Sequence, residues 1–273
     1  MEALVRPPVG PVGAVVPGVT LEELRGACSR IRYGAAPGPD GVTNRALKLT
    51  VARRPDAFLQ VYSACLSGGV FPSPWKRQSL VLLPKPGKPP DAPSSYRPLC
   101  MLDTVGKILE RIICRRLEVY TEAPGGLSDR QHGFRRGRST IGSIESVTTA
   151  AREVVGGARG SRKVLEYDTD DGPESCSITA GFPQGSVLGP ILSNIIYDII
   201  LRLRLDEGVR VVGFADDIAM VAVAGTTYEV KDLLSCVIAR VRDALWGLGL
   251  ETADHKTEAL LISRKRRLET ITI

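Results

Sequence analysis

Two adjacent aspartates, Asp216 and Asp217, lie in the middle of an apolar run that extends over residues 209–224. The β-branched and aromatic residues on both sides of the pair predict the two strands of a hairpin, with the aspartates at its tip. Burying an unpaired carboxylate costs several kcal/mol or forces it to take up a proton, so such a pair needs a partner, and a divalent cation is the obvious one. Because Asp also favours turns, a polar hairpin turn without a ligand is the alternative interpretation.

Size and composition set wide limits on the class of protein. The 273 residues allow one large domain or two small ones, and the net charge of +6 is compatible with a polyanionic partner without requiring one. The six cysteines are far apart, with no Cys-x-x-Cys pair and only two histidines, which argues against a zinc site or a disulfide framework and favours a reducing, intracellular compartment. Prolines break up the apolar N-terminus, and no charge-free run reaches membrane-spanning length, so we expect neither a signal peptide nor a membrane segment.

Hydrophobic periodicity predicts a mixture of helices and short strands, which is an α+β arrangement. Residues 1–19, rich in Pro, Gly and Val, are expected to form a linker. Thr20 with Glu23 has the pattern of a helix capping box, and Thr226 with Glu229 repeats it. Further helices are expected over 55–66, 103–120, 140–155 and 187–203, and strands over 79–83, 164–169, 175–179, around the aspartates and up to residue 262. In the helix that Ser139 begins, Ile141, Ile144 and Val147 are the expected core face.

Several short motifs follow one another along the chain in a specific order. They are APGPDG at 36–41, LPK at 83–85, SYRPL at 95–99, GKILE at 106–110, the basic loop and helix start at 133–140, GFPQGSVLGP at 181–190, FADD at 214–217 and HKT at 255–257. Taken in this order, over about residues 20–265, the chain resembles a reverse transcriptase of the non-LTR retrotransposon kind. The resemblance implies a right-hand polymerase, with fingers and the start of the palm at 20–155, the remaining palm with its antiparallel sheet at 165–265, and a basic tail at 266–273.

The resemblance also implies a chemistry, which is DNA synthesis from deoxynucleoside triphosphates on an RNA template and a DNA primer. In this family two Mg²⁺ ions clamp the reacting oxygens, and carboxylates hold both ions. Asp216 would be the more direct metal ligand and Asp217 its supporting neighbour. By the same resemblance, Ala215 would be the small residue near the primer end, and Phe214 stands where the family often has Tyr. Lys85 and Arg97 would contact the triphosphate, and Gln184 would line the nucleotide pocket. Lys256 would donate a proton to the leaving pyrophosphate.

The basic loop before residue 140 is the predicted nucleic-acid contact. Arg135, Arg136 and Arg138 precede the helix that Ser139 begins, and basic side chains at a helix N-terminus suit a phosphate. A solvated charged loop without a ligand is the alternative interpretation.

One expected motif is missing. The family has a second essential carboxylate on a separate palm strand, in a pattern like Leu-Asp-Val followed by Ala-Phe, and no such pattern occurs between residues 140 and 181. We therefore expect an internal deletion at a junction near residues 156–164, whether in the molecule or only in the gene model. Asp168, Asp170 and Asp171 lie in an Asp-Asp-Gly-Pro turn and are not expected to replace the lost ligand.

Loss of one metal anchor predicts little or no polymerase activity. Truncation is expected at both ends as well, because no endonuclease-like region, thumb segment or zinc knuckle is recognisable. Two other hypotheses remain open: a non-catalytic, nucleic-acid-binding remnant, and a structural or unfolded product of a decayed element. The basic residues at 264–267 are read either as a nuclear signal or as a solvated tail.

Overall fold

The computed structural model describes residues 16–152, 184–252, 257, 260–262 and 268–270. Within them, helices and short strands alternate, and the strands form three two-stranded sheets, β1 with β2, β3 with β4 and β5 with β6. This mixture of helices and small sheets agrees with the α+β prediction. The helices are α1 (Leu21–Ser29), α2 (Asn44–Arg53), α3 (Pro55–Gly68), α4 (Thr104–Thr121), α5 (Thr140–Arg152), α6 (Gly189–Leu201) and α7 (Thr227–Gly247), and the strands are β1 (Gln78–Pro84), β2 (Tyr96–Leu102), β3 (Val209–Phe214), β4 (Asp217–Ala222), β5 (Leu260–Ile262) and β6 (Leu268–Thr270).

The chain divides into two compact units. The N-terminal unit contains the described parts of residues 1–81 together with 100–113, and the C-terminal unit contains the described parts of 82–99 and 114–273. Each unit has its own apolar core.

The helix starts predicted from capping residues are confirmed. Thr20 and Thr226 each accept a hydrogen bond from the backbone N–H of the glutamate three residues later, and that glutamate's side chain accepts one from the threonine N–H in return. Ser139 caps α5 because its hydroxyl oxygen accepts a hydrogen bond from the Gly142 N–H at 3.1 Å. These bonds satisfy donors that the first turn of a helix leaves unpaired, which is why local sequence suffices to predict them.

An aromatic and aliphatic cluster forms the core of the N-terminal unit. Tyr62 on α3 is fully buried, and its ring meets that of Trp75 edge-on, with 5.8 Å between the centroids. Its hydroxyl donates a hydrogen bond to the Val105 carbonyl at 2.9 Å, so the polar end of the side chain is satisfied as well. Most of the remaining buried positions come from α1, α2 and α4, and include Leu24, Leu47, Ile108, Leu109 and Ile112.

The core of the C-terminal unit lies between α6, the β3–β4 hairpin and α7. Val211 on β3 and Val237 on α7 are fully buried, and α6 contributes Ile200 and Leu201. The hairpin is antiparallel, with Val211 opposite Met220 and Phe214 opposite Asp217. Helix α5 also packs on both of its strands. The hairpin is therefore fixed by helices on more than one side.

The prediction for the buried face of α5 was wrong. Ile141 and Ile144 are 68% and 39% exposed, and Val147 is only half-buried. The helix instead turns Ser143 inward, and Gly142 lies against the His132 ring. Small residues allow α5 to approach its neighbours closely, and this choice of face depends on the packing partner rather than on the apolar period of the helix.

Some other helices and strands were not predicted from the sequence, or lie where a different structure was expected. Helix α2 and strand β2 were not predicted, and β2 contains a proline, which argues against a strand. Strand β6 lies where a basic tail was expected, and it pairs with β5. The hairpin predicted over 164–179 lies outside the described residues.

Among the described helices, none combines the length and the apolar character that a membrane crossing requires.

Candidate active site

The two aspartates lie at the tip of a tight hairpin, as the sequence predicted. Phe214 and Asp217 form the last cross-strand pair, so Ala215 and Asp216 alone make the turn. Ala215 has a φ of +56°, in the left-handed region that residues with a Cβ rarely adopt. Two-residue hairpin loops require a positive φ at their first position, and glycine usually provides it. At Ala215 the surrounding structure must therefore hold the turn.

Both carboxylates lie near Tyr197 on α6. Burial raises the pKa of the Tyr197 hydroxyl, and the negative charges of Asp216 and Asp217 raise it further. Asp216 and Asp217 themselves are exposed residues. The tip of the hairpin is therefore a negatively charged surface beside a half-buried phenol.

A carboxylate pair of this kind can bind a hard divalent cation, which prefers oxygen ligands. A site for two cations needs more carboxylate oxygens than two adjacent side chains supply. The described residues contain no group of three or more His, Cys, Asp or Glu side chains arranged to hold a metal. They fit half of a two-metal site and do not fit a complete one.

The loop of residues 130–133 pairs with the end of β3 that leads into the aspartate turn. The Gly213 N–H donates to the Arg130 carbonyl and the His132 N–H donates to the Gly213 carbonyl, each at 2.9 Å. Gln131 and Gly213 thereby form a parallel bridge. This long-range pairing was not predicted; the glycines at 133 and 213, which permit close backbone contact, were the only sequence signal for it.

Gly133 makes the closest approach to the turn. A Cβ built at this position would lie 2.0 Å from the Ala215 nitrogen and 2.6 Å from its Cα, so only glycine fits. The buried side chains of Gln131 and Asn194 hold Gly133 in place. The Gln131 Oε1 accepts from the Gly133 N–H at 3.0 Å, and the Asn194 Nδ2 donates to the Gly133 carbonyl at 2.8 Å.

His132 is buried beside the same turn. Its Nε2 lies 3.2 Å from the Ser146 hydroxyl on α5. Burial lowers the pKa of His132, and the positive charges of Arg138 and Arg135 lower it further, against a smaller opposing effect of Asp129. The fold therefore favours the neutral form of this ring more than an unfolded chain would.

The three predicted nucleic-acid-binding arginines differ in their surroundings. Arg135 has a side chain only 6% exposed, which forms an ion pair with Glu122 at 3.0 Å and donates to the Ser128 carbonyl at 2.7 Å. Arg138 pairs with Asp129, and Arg136 is exposed. The contacts give Arg135 a structural role, and Arg136 has the exposure that a nucleic-acid contact requires.

The predicted nucleotide-binding residues occupy two further places. Lys85 follows directly after β1, where its N–H donates to the Ser95 carbonyl at 2.7 Å, and Arg97 is exposed on the paired strand β2. The β1–β2 hairpin thus carries both basic residues. Gln184 is exposed in a turn before α6, and Lys256 lies outside the described residues.

Comparison with known proteins identifies the class of protein. The family described as reverse transcriptase (RNA-dependent DNA polymerase) matches residues 83–270, which is more than half of the chain. The chain therefore belongs to the reverse transcriptase family.

Its relatives are the polymerases of non-LTR retrotransposons, as the order of the motifs predicted. The RNA-directed DNA polymerase from mobile element jockey of Drosophila melanogaster is 30% identical over 252 residues, covering 74% of this chain and 27% of that protein. The Pol polyprotein from the type-1 retrotransposable element R1 of Bradysia coprophila is 28% identical over 256 residues, with coverage of 80% and 25%. The probable polymerase from transposon BS of Drosophila melanogaster is 35% identical over 130 residues, with coverage of 48% and 14%. The chain spans about a quarter or less of the length of these relatives.

Proposed function

We propose that this chain is a reverse transcriptase domain with an incomplete metal site, which retains substrate-binding features but synthesises little or no DNA. The observation that carries the proposal is the Asp216–Asp217 pair, which the described residues leave without a third carboxylate. In the complete enzyme, Mg²⁺ ions would stabilise the charge that develops during phosphoryl transfer. Half of the ligand set would bind one ion weakly and would not fix the spacing between two.

The lengths of the alignments support an internal deletion. The jockey alignment runs over 252 positions, but 74% of 273 residues is only about 202 residues, so about 50 positions have no counterpart in this chain. The R1 alignment similarly leaves about 38 of its 256 positions unmatched. The 130-position BS alignment uses about 131 residues of this chain and leaves no such excess. We place the deletion near residues 156–164, where the strand with the second essential aspartate is missing from the order of motifs.

The remaining predicted residues have consistent roles in this proposal. Asp216 would be the direct cation ligand, supported by Asp217. Lys85 and Arg97 would contact the triphosphate of the incoming nucleotide, since an ammonium and a planar guanidinium both suit phosphate oxygens. Gln184, Phe214 and Ala215 would line the nucleotide and primer side, and Lys256 would face the leaving pyrophosphate. The RNA template and DNA primer would be the partners.

A primer-extension assay tests this function. The purified chain is given an RNA template, a DNA primer, deoxynucleoside triphosphates and Mg²⁺, beside its Asp216→Ala variant and an active retrotransposon polymerase as the positive control. We expect the chain to extend no more primer than Asp216→Ala does. Mg²⁺-dependent extension that Asp216→Ala abolishes would overturn the proposal.

A second function, nucleic-acid binding without catalysis, is favoured by the exposed Arg136 beside a helix N-terminus and by the net charge of +6. Binding of an RNA–DNA duplex should weaken steeply as salt is added, because phosphate contacts release counterions. Arg136→Ala should weaken binding while the fold is kept. A flat salt response, or unchanged binding by Arg136→Ala, would contradict this second function.

A further inference from the structure

The strained turn at Ala215 needs an external constraint. Its φ of +56° is unfavourable for any residue with a Cβ, and the turn is only two residues long. Neither flanking strand imposes this conformation by itself, since hairpins normally obtain it from glycine or asparagine. Whatever lies against the turn therefore determines where Asp216 and Asp217 are directed.

The loop of residues 130–133 is in a position to supply the constraint. It is bonded to Gly213 through both the N–H and the carbonyl of that residue, immediately before the turn. At Gly133 the loop backbone then lies directly on the Phe214–Ala215 peptide, closer than any other residue type permits. Rotation of that peptide towards an ordinary φ at Ala215 would have to displace the loop.

The loop is itself anchored by buried polar groups. Gln131 and Asn194 are almost completely buried, and both are hydrogen-bonded to Gly133. The Gln131 side chain accepts from the Gly133 N–H, and the Asn194 side chain donates to the Gly133 carbonyl. Asn194 is on α6, so the position of Gly133 is fixed by a helix as well as by β3. Breaking either bond would leave a buried backbone group unpaired, which makes this anchoring costly to lose.

We propose that Gly133 is a positioning residue, which together with Asn194 holds Ala215 in its left-handed conformation and so sets the direction of the Asp216 and Asp217 carboxylates. The proposal concerns the geometry of the turn. Its link to catalysis rests on the proposed function, in which these carboxylates bind a divalent cation.

NMR spectroscopy on uniformly isotope-labelled protein tests the geometry directly. The one-bond coupling between the α carbon and the α proton of Ala215 reports the sign of its φ, because this coupling is smaller when φ is positive than when φ is negative. In Gly133→Ala we expect this coupling to leave the value of the left-handed region and the exchange of the Gly213 amide proton to accelerate. In Asn194→Ala, which adds no atom near the turn, we expect a smaller change in the same direction.

Gly137→Ala is the matched control. Gly137 has a φ of +72° and open space around its Cβ position, so alanine there strains the backbone without contacting the turn. The Ala215 coupling should be the same in this variant as in the original chain. An unchanged coupling in folded Gly133→Ala, or in Asn194→Ala if Gly133→Ala does not fold, would overturn the proposal.

A second readout separates this inference from the proposed function. Mn²⁺ added to the original chain should broaden the Ala215 and Asp217 signals, and the broadening should be lost in Asp216→Ala and reduced in Gly133→Ala. If Mn²⁺ broadens nothing while the Ala215 coupling changes as expected, the positioning role stands and the proposed cation site fails. If the broadening depends on Asp216 but both the coupling and the broadening are unaffected in Gly133→Ala, the cation site stands and the positioning role fails.

Discussion

The core of the N-terminal unit and the surroundings of the aspartate hairpin are built in different ways. Around Tyr62, apolar side chains fill the interior, and buried polar groups such as Thr104 and Asn44 pair with each other at 2.7 Å, although Gln78 Oε1 in the same unit is buried without a hydrogen-bond partner among the described residues. Around the hairpin, Gln131 Nε2, His132 Nδ1 and Asn194 Oδ1 are buried without a hydrogen-bond partner among the described residues. Large apolar side chains are exposed in both regions, including Phe134 and Ile141 near the hairpin and Tyr33 and Leu49 in the N-terminal unit.

This difference indicates which interactions fix the structure of each region. Close packing of apolar surface stabilises the N-terminal core, and it tolerates no loss of volume. The strands of the hairpin share the apolar core of the C-terminal unit, but its tip depends on a few directional hydrogen bonds between loop 130–133, β3 and α6.

The largest expected effect comes from the N-terminal core. Ile108→Ala removes a fully buried side chain and should lower the free energy of unfolding by about 2–5 kcal/mol. Ile144→Ala, on the exposed face of α5, is the matched control and should change it by no more than about 0.5 kcal/mol. Urea denaturation followed by circular dichroism measures both. Equal losses for the two variants would refute the contrast between the regions.

A smaller effect is expected from the arginine pair of the basic loop. Arg135→Met removes the ion pair with Glu122 and the hydrogen bond to the Ser128 carbonyl, and should cost about 1.5–3 kcal/mol of stability. Arg136→Met should cost less than about 0.5 kcal/mol, because that side chain is exposed. The same denaturation experiment applies. If Arg136→Met were the more destabilising of the two, the structural role assigned to Arg135 would be wrong.

His132 should make the hairpin region sensitive to acid. Its pKa in the folded state lies below the unfolded value of about 6.5, so the unfolded chain binds the proton more readily. The associated stability is complete above pH of about 6.5 and is lost as the pH falls from there towards the folded pKa. Unfolding free energies at about pH 7.5 and about pH 5.5 should therefore differ more for the original chain than for His132→Gln. The other histidine, His255, is present in both proteins and cancels in the comparison. An equal pH dependence in both would contradict the burial of His132.

The smallest expected effect is a change in the pKa of Tyr197. Asp216→Asn removes one of the two negative charges that raise the pKa of this tyrosine, so its pKa should fall. It should stay above the ordinary value, because burial is the larger cause. Ultraviolet difference titration, with Tyr197→Phe to assign the signal, measures the shift. Asp206→Asn, which removes a carboxylate paired with Arg240 instead, should leave it unchanged.

The sequence was sufficient for features that depend on neighbouring residues. The capping pairs that begin α1 and α7 are complete within four residues, and the β3–β4 hairpin follows from β-branched strands around a two-residue turn. The order of the motifs likewise predicted the family. All of these signals are local or linear.

Features that depend on distant packing could not be predicted in this way. The contact of Gly133 with Ala215 joins residues far apart in the chain, and the burial of Arg135 depends on Glu122 on another element. The inward face of α5 carries the small residues Gly142, which lies against the His132 ring, and Ser143, and an apolar period of 3.6 does not reveal this face. The geometry of the candidate site therefore had to come from the structure.

Primer extension by two matched proteins is the sharpest test of whether the metal site is incomplete because a segment near residues 156–164 is missing. One is the chain itself, and the other carries, at residues 156–164, the unmatched segment of the jockey relative. If the metal site is incomplete, only the second protein should synthesise DNA in the presence of Mg²⁺. That synthesis should be lost when Asp216→Ala is added to it. Mg²⁺-dependent synthesis by the original chain, abolished by Asp216→Ala, would contradict this expectation.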